Sequence, residues 1–160
     1  MIFLTVGVQL PFDRLVRAVD CWAGERGVRG VFAQVGESSY GTKHIEAAPF
    51  LSPRELRERT REAKAIVGHA GMGTILTSLE LAKPLLVFPR RADCGEHRND
   101  HQLGTARLFA DRIQVAFTEE DLWEQLDLLE HRIESQKIAS VASDELLSRI
   151  RSYALGPEGR

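Results

Sequence analysis

Cysteine is scarce in this chain, and an excess of one charge, a basic leader and long apolar runs are missing altogether. Only Cys21 and Cys94 occur, far apart and with no second cysteine near either, which excludes a disulfide framework or a CxxC metal site and points to a reducing compartment. The 21 Lys and Arg residues against 23 Asp and Glu leave a formal net charge of −2. No global positive field therefore exists to hold a nucleic-acid backbone or an anionic bilayer, and no nucleic-acid partner is expected. The apolar start Ile2–Val6 breaks at Gly7 with no basic residue ahead of it, and the longest later run, Leu85–Phe88, is far below the roughly 18 residues that cross a bilayer. The chain is read as cytoplasmic and not itself membrane-spanning. Internal repeats, low-complexity tracts and linkers are absent too. What is present, 160 residues with 43% hydrophobic and 28% charged side chains, makes one globular domain over residues 1–160 that buries about 70% of its unfolded surface.

Apolar periodicity alternates between two forms along the chain. Ile2–Val6, Gly30–Gly36, a short run near Ala48–Leu51, Ala65–Gly68, Pro84–Pro89 and Ile113–Phe117 read as strands. Between them, Phe12, Leu15, Val16 and Val19 recur at helical spacing. Ser52-Pro53-Arg54-Glu55 carries a capping Ser, a Pro at the first helical position and a Glu three residues after the cap, so a helix starts there and runs to about Ala63. Thr74–Leu81, Asn99–Ala110, a capped segment from Thr118 with Leu122, Leu126, Leu129 and Ile133 on one face, and Ser143–Tyr153 complete the helices. The alternation predicts an α/β fold: an open, mainly parallel sheet with helices on both faces, whose ligands sit beyond the carboxyl ends of the strands.

Three segments carry candidate chemistry. Gly68-His69-Ala70-Gly71-Met72-Gly73-Thr74 joins a buried strand to a helix, where glycines let the backbone approach an anion and the helix end offers free N–H groups and a positive dipole end. A phosphate or diphosphate is its natural guest, with His69 and the Thr74 hydroxyl as further contacts; the same letters also serve simply to turn a corner in many α/β folds. No Gly-Lys-Ser/Thr follows, and Leu76 stands where a dinucleotide fingerprint needs its third Gly, so neither nucleotide motif fits. The run Arg90 to Gln102, which includes Glu96, His97, Asn99, Asp100 and His101, is almost wholly hydrogen-bonding. It either reads sugar hydroxyls while its arginines balance phosphate charge, or is a solvated loop with Asn99 or Asp100 capping the next helix. The loop Gly7–Pro11 opens toward the same edge, where Gly7 admits a phosphate or an acceptor. His97, His101 and Asp93 lack a recognised metal-ligand spacing, so no metal is expected. Arg54, Arg57, Arg59 and Arg61, interleaved with Glu55, Glu58 and Glu62, read as a solvated helix face, as do the seven acids between Glu119 and Glu134.

Together, Thr5-Val6-Gly7 with Phe12-Asp13-Arg14-Leu15, His69-Ala70-Gly71-Met72-Gly73-Thr74 with Leu81-Ala82-Lys83-Pro84, and Gly95 to Gln102 resemble the small catalytic subunits of two-component GT-B glycosyltransferases. These are the subunits of bacterial capsule and exopolysaccharide type, related to the C-terminal domain of the lipid II-forming GlcNAc transferase and to the eukaryotic dolichol-linked GlcNAc transferase subunit. The resemblance spans about residues 1 to 110 and implies a Rossmann-like fold equivalent to the C-terminal half of a GT-B enzyme. It implies that His69, Gly71, Met72, Gly73 and Thr74 hold the diphosphate of a UDP-sugar (hexose, hexuronic acid or GlcNAc), and that His101 and Gln102 contact its sugar. Transfer would be inverting and metal-independent, with no cofactor beyond the donor substrate. A membrane-anchored second subunit would bring a lipid-linked saccharide acceptor, so that the chain lies at the inner face of the plasma membrane through this partner. The partner would dock beside Gly7–Pro11, Gly68–Thr74 and Arg90–Gln102, not on the acidic helix. Glu96, His97 or a residue of the partner would be the general base. Two positions depart from the pattern: Thr77 stands where relatives often bind ribose with an acid, and Val8 replaces a Thr. A second reading keeps the sheet but not the chemistry, as a non-catalytic nucleotide-binding or regulatory module. The polar run Glu96–Gln102 separates the two, being superfluous for a bare nucleotide.

Overall fold

A computed structural model of the chain describes residues 1–129. Six short strands, β1 (Ile2–Thr5), β2 (Val31–Gln34), β3 (Glu46–Ala48), β4 (Ala65–Gly68), β5 (Leu85–Val87) and β6 (Gln114–Val115), form one sheet in the order β3-β2-β1-β4-β5-β6 with every pair parallel. β1 and β4 are buried along their whole length, as strands sandwiched between two helical layers must be. One core joins α1 (Asp13–Arg26) and α5 (Glu119–Leu129) to one face of the sheet, through Leu15, Val19, Trp22, Leu122 and Leu126. The other core sets α2 (Pro53–Glu62), α3 (Met72–Glu80) and α4 (His101–Phe109) on the opposite face, through Leu56, Ile75, Leu79, Ala106 and Phe109. The fold is thus the expected Rossmann-like sheet. The chain moves outward in one direction from β1 to β3 and in the other from β4 to β6, so the carboxyl ends of β1 and β4 flank the topological switch point where such sheets bind ligands.

Local chemistry sets the boundaries. Ser52 and Glu55 form the expected reciprocal capping box, and Pro53 opens α2. β3 lies earlier than Ala48–Leu51: Phe32 pairs with Glu46 and Gln34 with Ala48, and Pro49 has no N–H with which to continue the ladder. α3 begins at Met72 instead of Thr74 because Gly71, in an extended conformation, is the N-cap and its carbonyl accepts from the Ile75 N–H. α4 begins at His101, two residues later than expected. Asp100 occupies the cap position but makes no cap bond, its carboxylate accepting instead from the Ala92 N–H at 2.8 Å. The expected helix over Ser143–Tyr153, and Ile133, lie outside the described residues.

No helix connects β2 to β3. The loop between them is strapped to α1 by two carboxylates. Asp13 accepts from Ser38 and Ser39, and the fully buried Asp20 accepts from the backbone N–H groups of Lys43, His44 and Ile45 and from the Tyr40 hydroxyl at 2.8 Å. Burial alone would raise the Asp20 pKa, but the bonds from His44, Tyr40, Lys43 and Ile45 outweigh it and hold the carboxyl below the ordinary 3.8. Asp20→Ala is therefore expected to destabilise the fold by roughly 3 kcal/mol near pH 7, since it leaves several donors without an acceptor. The carboxylate contributes this stability above pH 3.8 and loses it as the pH falls through the folded pKa. Urea denaturation of both proteins should show the gap between them narrowing as the pH falls below 3.8; a constant gap would mean that the charge plays no part.

Candidate functional site

A cavity of about 510 Å³ opens at the switch point. The loop after β1, the turn into α3 and the segment His97–Gln102 surround its mouth, and it runs down between α2 and α3. The Gly68–Thr74 turn and the start of the Gly7–Pro11 loop thus meet at one site, as expected.

His69 is the wedge that joins them. A Cβ at Gly7 would lie 2.8 Å from the His69 ring and one at Gly71 only 2.1 Å from His69 Nε2, so the imidazole fits only because both positions are glycine. Gly7 also needs its left-handed φ of 76°. Gly73 differs: a Cβ there would meet nothing within 4 Å, because this glycine faces the cavity. His69 Nδ1 is buried and has no hydrogen-bond partner among the described residues. Burial, and next the nearby positive charge of Arg90, push its pKa down to about 4, so the ring is neutral at physiological pH. Beside it, Gly71 caps α3 without a side chain, and the N–H groups of Met72, Gly73 and Thr74 have no acceptor inside the helix. These donors, with the Thr74 hydroxyl, all line the cavity and form a docking point for an anion.

The arginines and acids of the Arg90–Gln102 segment lie differently from expectation. Arg90, only 2% exposed, does not offer its charge to a ligand. Its guanidinium donates to the carbonyls of Leu10 at 2.6 Å, Val6 and Pro11 at 2.7 Å and Glu96 at 3.1 Å, and lies 4.6 Å from the centre of the Phe12 ring. Arg91 is paired with Asp93 at the surface. Glu96 is outside the cavity lining, and both carboxylate oxygens are taken: Arg14 donates to them at 2.7 and 2.8 Å and the Arg91 N–H at 2.9 Å. It acts as a strut, set back from the cavity lining and engaged at both oxygens, an arrangement that does not favour the expected role of Glu96 as a base. Asn99 and Asp100 are also outside the lining. Asn99 bonds the backbone and ring of His101, and Asp100 the Ala92 N–H, so they shape the loop.

His97, His101 and Gln102 do line the cavity. The two rings meet edge to face with centroids 4.5 Å apart. His97 Nδ1 is buried without a partner among the described residues, and burial, then the charges of His101, Arg90 and Arg98, lower its pKa. Both effects favour the neutral form of the His97 ring. Gln102 is held by the Arg90 N–H donating to its Oε1 at 3.1 Å. Among the described residues, no three His, Cys, Asp or Glu side chains gather closely enough to hold a metal ion.

Two groups of lining residues escaped the sequence reading. Gln34 accepts from the Thr5 hydroxyl, which in turn accepts from the Gly7 N–H; the available signal was a glutamine at the carboxyl end of a buried strand. Leu56, Arg57 and Thr60 of α2 also face the cavity, although Arg57 read as part of a solvated face.

The neutral state of His69 has a measurable consequence. The unfolded chain takes a proton on this residue near pH 6.5, whereas the folded ring resists until about 4. Stability therefore falls as pH drops through that window, by up to about 3 kcal/mol from this group. His69→Gln should flatten the pH profile of urea denaturation between those values, and an unaltered profile would show that the ring is not desolvated.

Over residues 1–152 the chain matches the glycosyltransferase family 28 C-terminal domain. Among solved structures it is similar to ALG13 determined by NMR, with a TM-score of 0.62 and 20% identity over 94% of this chain and 92% of that one. It is also similar to a UDP-glucose: anthocyanidin 3-O-glucosyltransferase in complex with UDP, with a TM-score of 0.57 and 19% identity over 99% of this chain and 37% of that one. For MurG of Acinetobacter baumannii the TM-score is 0.53, with 18% identity over 80% of this chain and 40% of the other. The chain spans about two-fifths of the length of the last two, and at these identities the likeness is one of fold. No curated protein matches it. Sheet order, ligand edge and a match that covers almost the whole sequence agree: the chain belongs to the glycosyltransferase family 28 C-terminal domains.

Proposed function

We propose that this chain is the donor-binding part of an inverting UDP-sugar glycosyltransferase acting on a lipid-linked saccharide in exopolysaccharide or capsule assembly. The observation that carries the reading is the cavity itself: an uncapped helix N-terminus and an unpartnered, neutral His69 face a space into which no carboxylate projects among the described residues. Such a space suits a diphosphate held without a bridging divalent ion. His69, Met72, Gly73 and Thr74 hold the diphosphate, and His101 and Gln102 contact sugar hydroxyls. The acceptor hydroxyl attacks the anomeric carbon as the bond to the diphosphate breaks. The helix-end N–H groups stabilise the charge gained by departing UDP, and His97 is the base that this chain itself offers for the hydroxyl proton.

A second, membrane-anchored subunit supplies the acceptor from the cytoplasmic side. Val8, 73% exposed, and Leu10, 39% exposed, stand beside the cavity as an apolar rim suited to such a contact. Among the described residues no helix is long and apolar enough to cross a membrane.

Calorimetry with UDP and a panel of UDP-sugars tests the first half. His69→Ala and Thr74→Val should each weaken binding by about 1–3 kcal/mol without unfolding the domain, as expected for a lost bond to a charged group. Affinity for UDP with no gain from any sugar would favour the nucleotide-binding module, and no affinity at all would sink both. Transfer to a lipid-linked acceptor should need the genomic neighbour in membranes and should survive EDTA; full activity of the isolated chain, or metal-restored activity after chelation, would contradict the proposed mechanism.

A further inference from the structure

The cavity has a charge to balance and few cations with which to do it. Arg57 and Arg90 are the Lys or Arg residues that line it among the described residues. Arg90 is consumed by four backbone carbonyls. The α3 N-terminus supplies the equivalent of only about half a positive charge, whereas a nucleoside diphosphate brings two or more negative ones. Among the described residues that line the cavity, one free cation remains, Arg57 of α2.

Arg61, the last arginine of α2, is outside the cavity lining, and the two nearer ones are occupied. Arg54 pairs with Glu58 at 2.8 Å, and the guanidinium of Arg59 lies 4.2 Å from the centre of the Phe32 ring. Arg57 is exposed and has no partner among the described residues. It lines the cavity together with Leu56 and Thr60, and Thr60, three residues on, shares its flank of α2. We propose that Arg57 is a donor-binding residue that meets the diphosphate charge across the cavity from the Met72–Thr74 helix end. Its planar fork suits two phosphate oxygens at once. The assignment rests on the UDP-sugar reading above but adds a residue from an element outside the phosphate turn.

The test compares wild type, Arg57→Gln, Arg57→Lys and the control Arg54→Gln, with UDP by calorimetry at low and high salt and with uridine by ligand-observed NMR. Arg57→Gln should weaken UDP about tenfold or more, the scale of a lost charge-assisted bond, and reduce the salt dependence of binding. Uridine binding should be the same in both proteins, Arg57→Lys should recover part of the loss, and Arg54→Gln should bind UDP as wild type does. The arginine is exposed, so melting temperatures should agree. Equal UDP affinity in wild type and Arg57→Gln would overturn this inference while leaving the UDP-sugar reading intact, and parallel losses of UDP and uridine would assign Arg57 to the nucleoside and overturn it also. A wild type that binds no UDP would overturn both.

Discussion

The site depends on one buried guanidinium. Arg90 draws the carbonyls of Val6, Leu10 and Pro11 from the first loop and that of Glu96 from the loop after β5 onto a single planar group, while its own N–H holds Gln102. A buried charge is tolerable only when its donors are satisfied, and here the carbonyls do this while the nearby buried Glu96 carboxylate helps to hold the charge. An ammonium could not replace it, having three donors around a point where the fork reaches across two loops. Around this hub Phe12 and Phe88 stack with centroids 6.1 Å apart, and Arg14 lies 4.1 Å from the centre of the Phe88 ring while gripping Glu96 with both ends of its fork. The two loops are thereby one rigid rim.

That rim explains the character of the cavity behind it. Arg90 spends its donors on backbone, yet its field still reaches His69 and helps to keep the imidazole unprotonated. Glu96 is withdrawn into the strut with Arg14. Among the described residues the cavity is left with the neutral imidazoles of His69 and His97, amide and hydroxyl groups, helix-end N–H groups and the exposed Arg57. No carboxylate lines it among the described residues, and an electron-rich guest suits such a lining.

Much of the architecture was legible because it rests on local rules. The strand and helix periods, the Ser52–Glu55 box and the glycine-rich strand-to-helix turn declare themselves over a few residues. What stayed hidden involves partners far apart in sequence. Glu96 looks like a free acid among polar neighbours until Arg14, 82 residues away, folds onto it. Arg90 looks like a phosphate ligand because the carbonyls that occupy it belong to residues such as Val6 and Pro11, whose side chains give no hint of it. Arg57 sits in an alternating charge pattern identical in appearance to a solvated face, and only the groove between α2 and α3 distinguishes it. Gly71 was legible as a turn residue, but its reason for being glycine is the His69 ring.

The strap between α1 and the β2–β3 loop has a consequence for how the molecule fails. β3 is three residues long and mostly exposed, so its side chains do little to keep it in the sheet. It stays because Asp13 and Asp20 pin the loop that delivers it. Protonating those carboxyls frees the loop, and the outermost strand can then peel away, uncovering the N–H and C=O groups along β2. An uncovered strand edge invites pairing with another chain. In acid, then, the weakness of this protein is self-association that starts at the β2 edge, on the margin of the sheet beyond β1 and far from the β6 side.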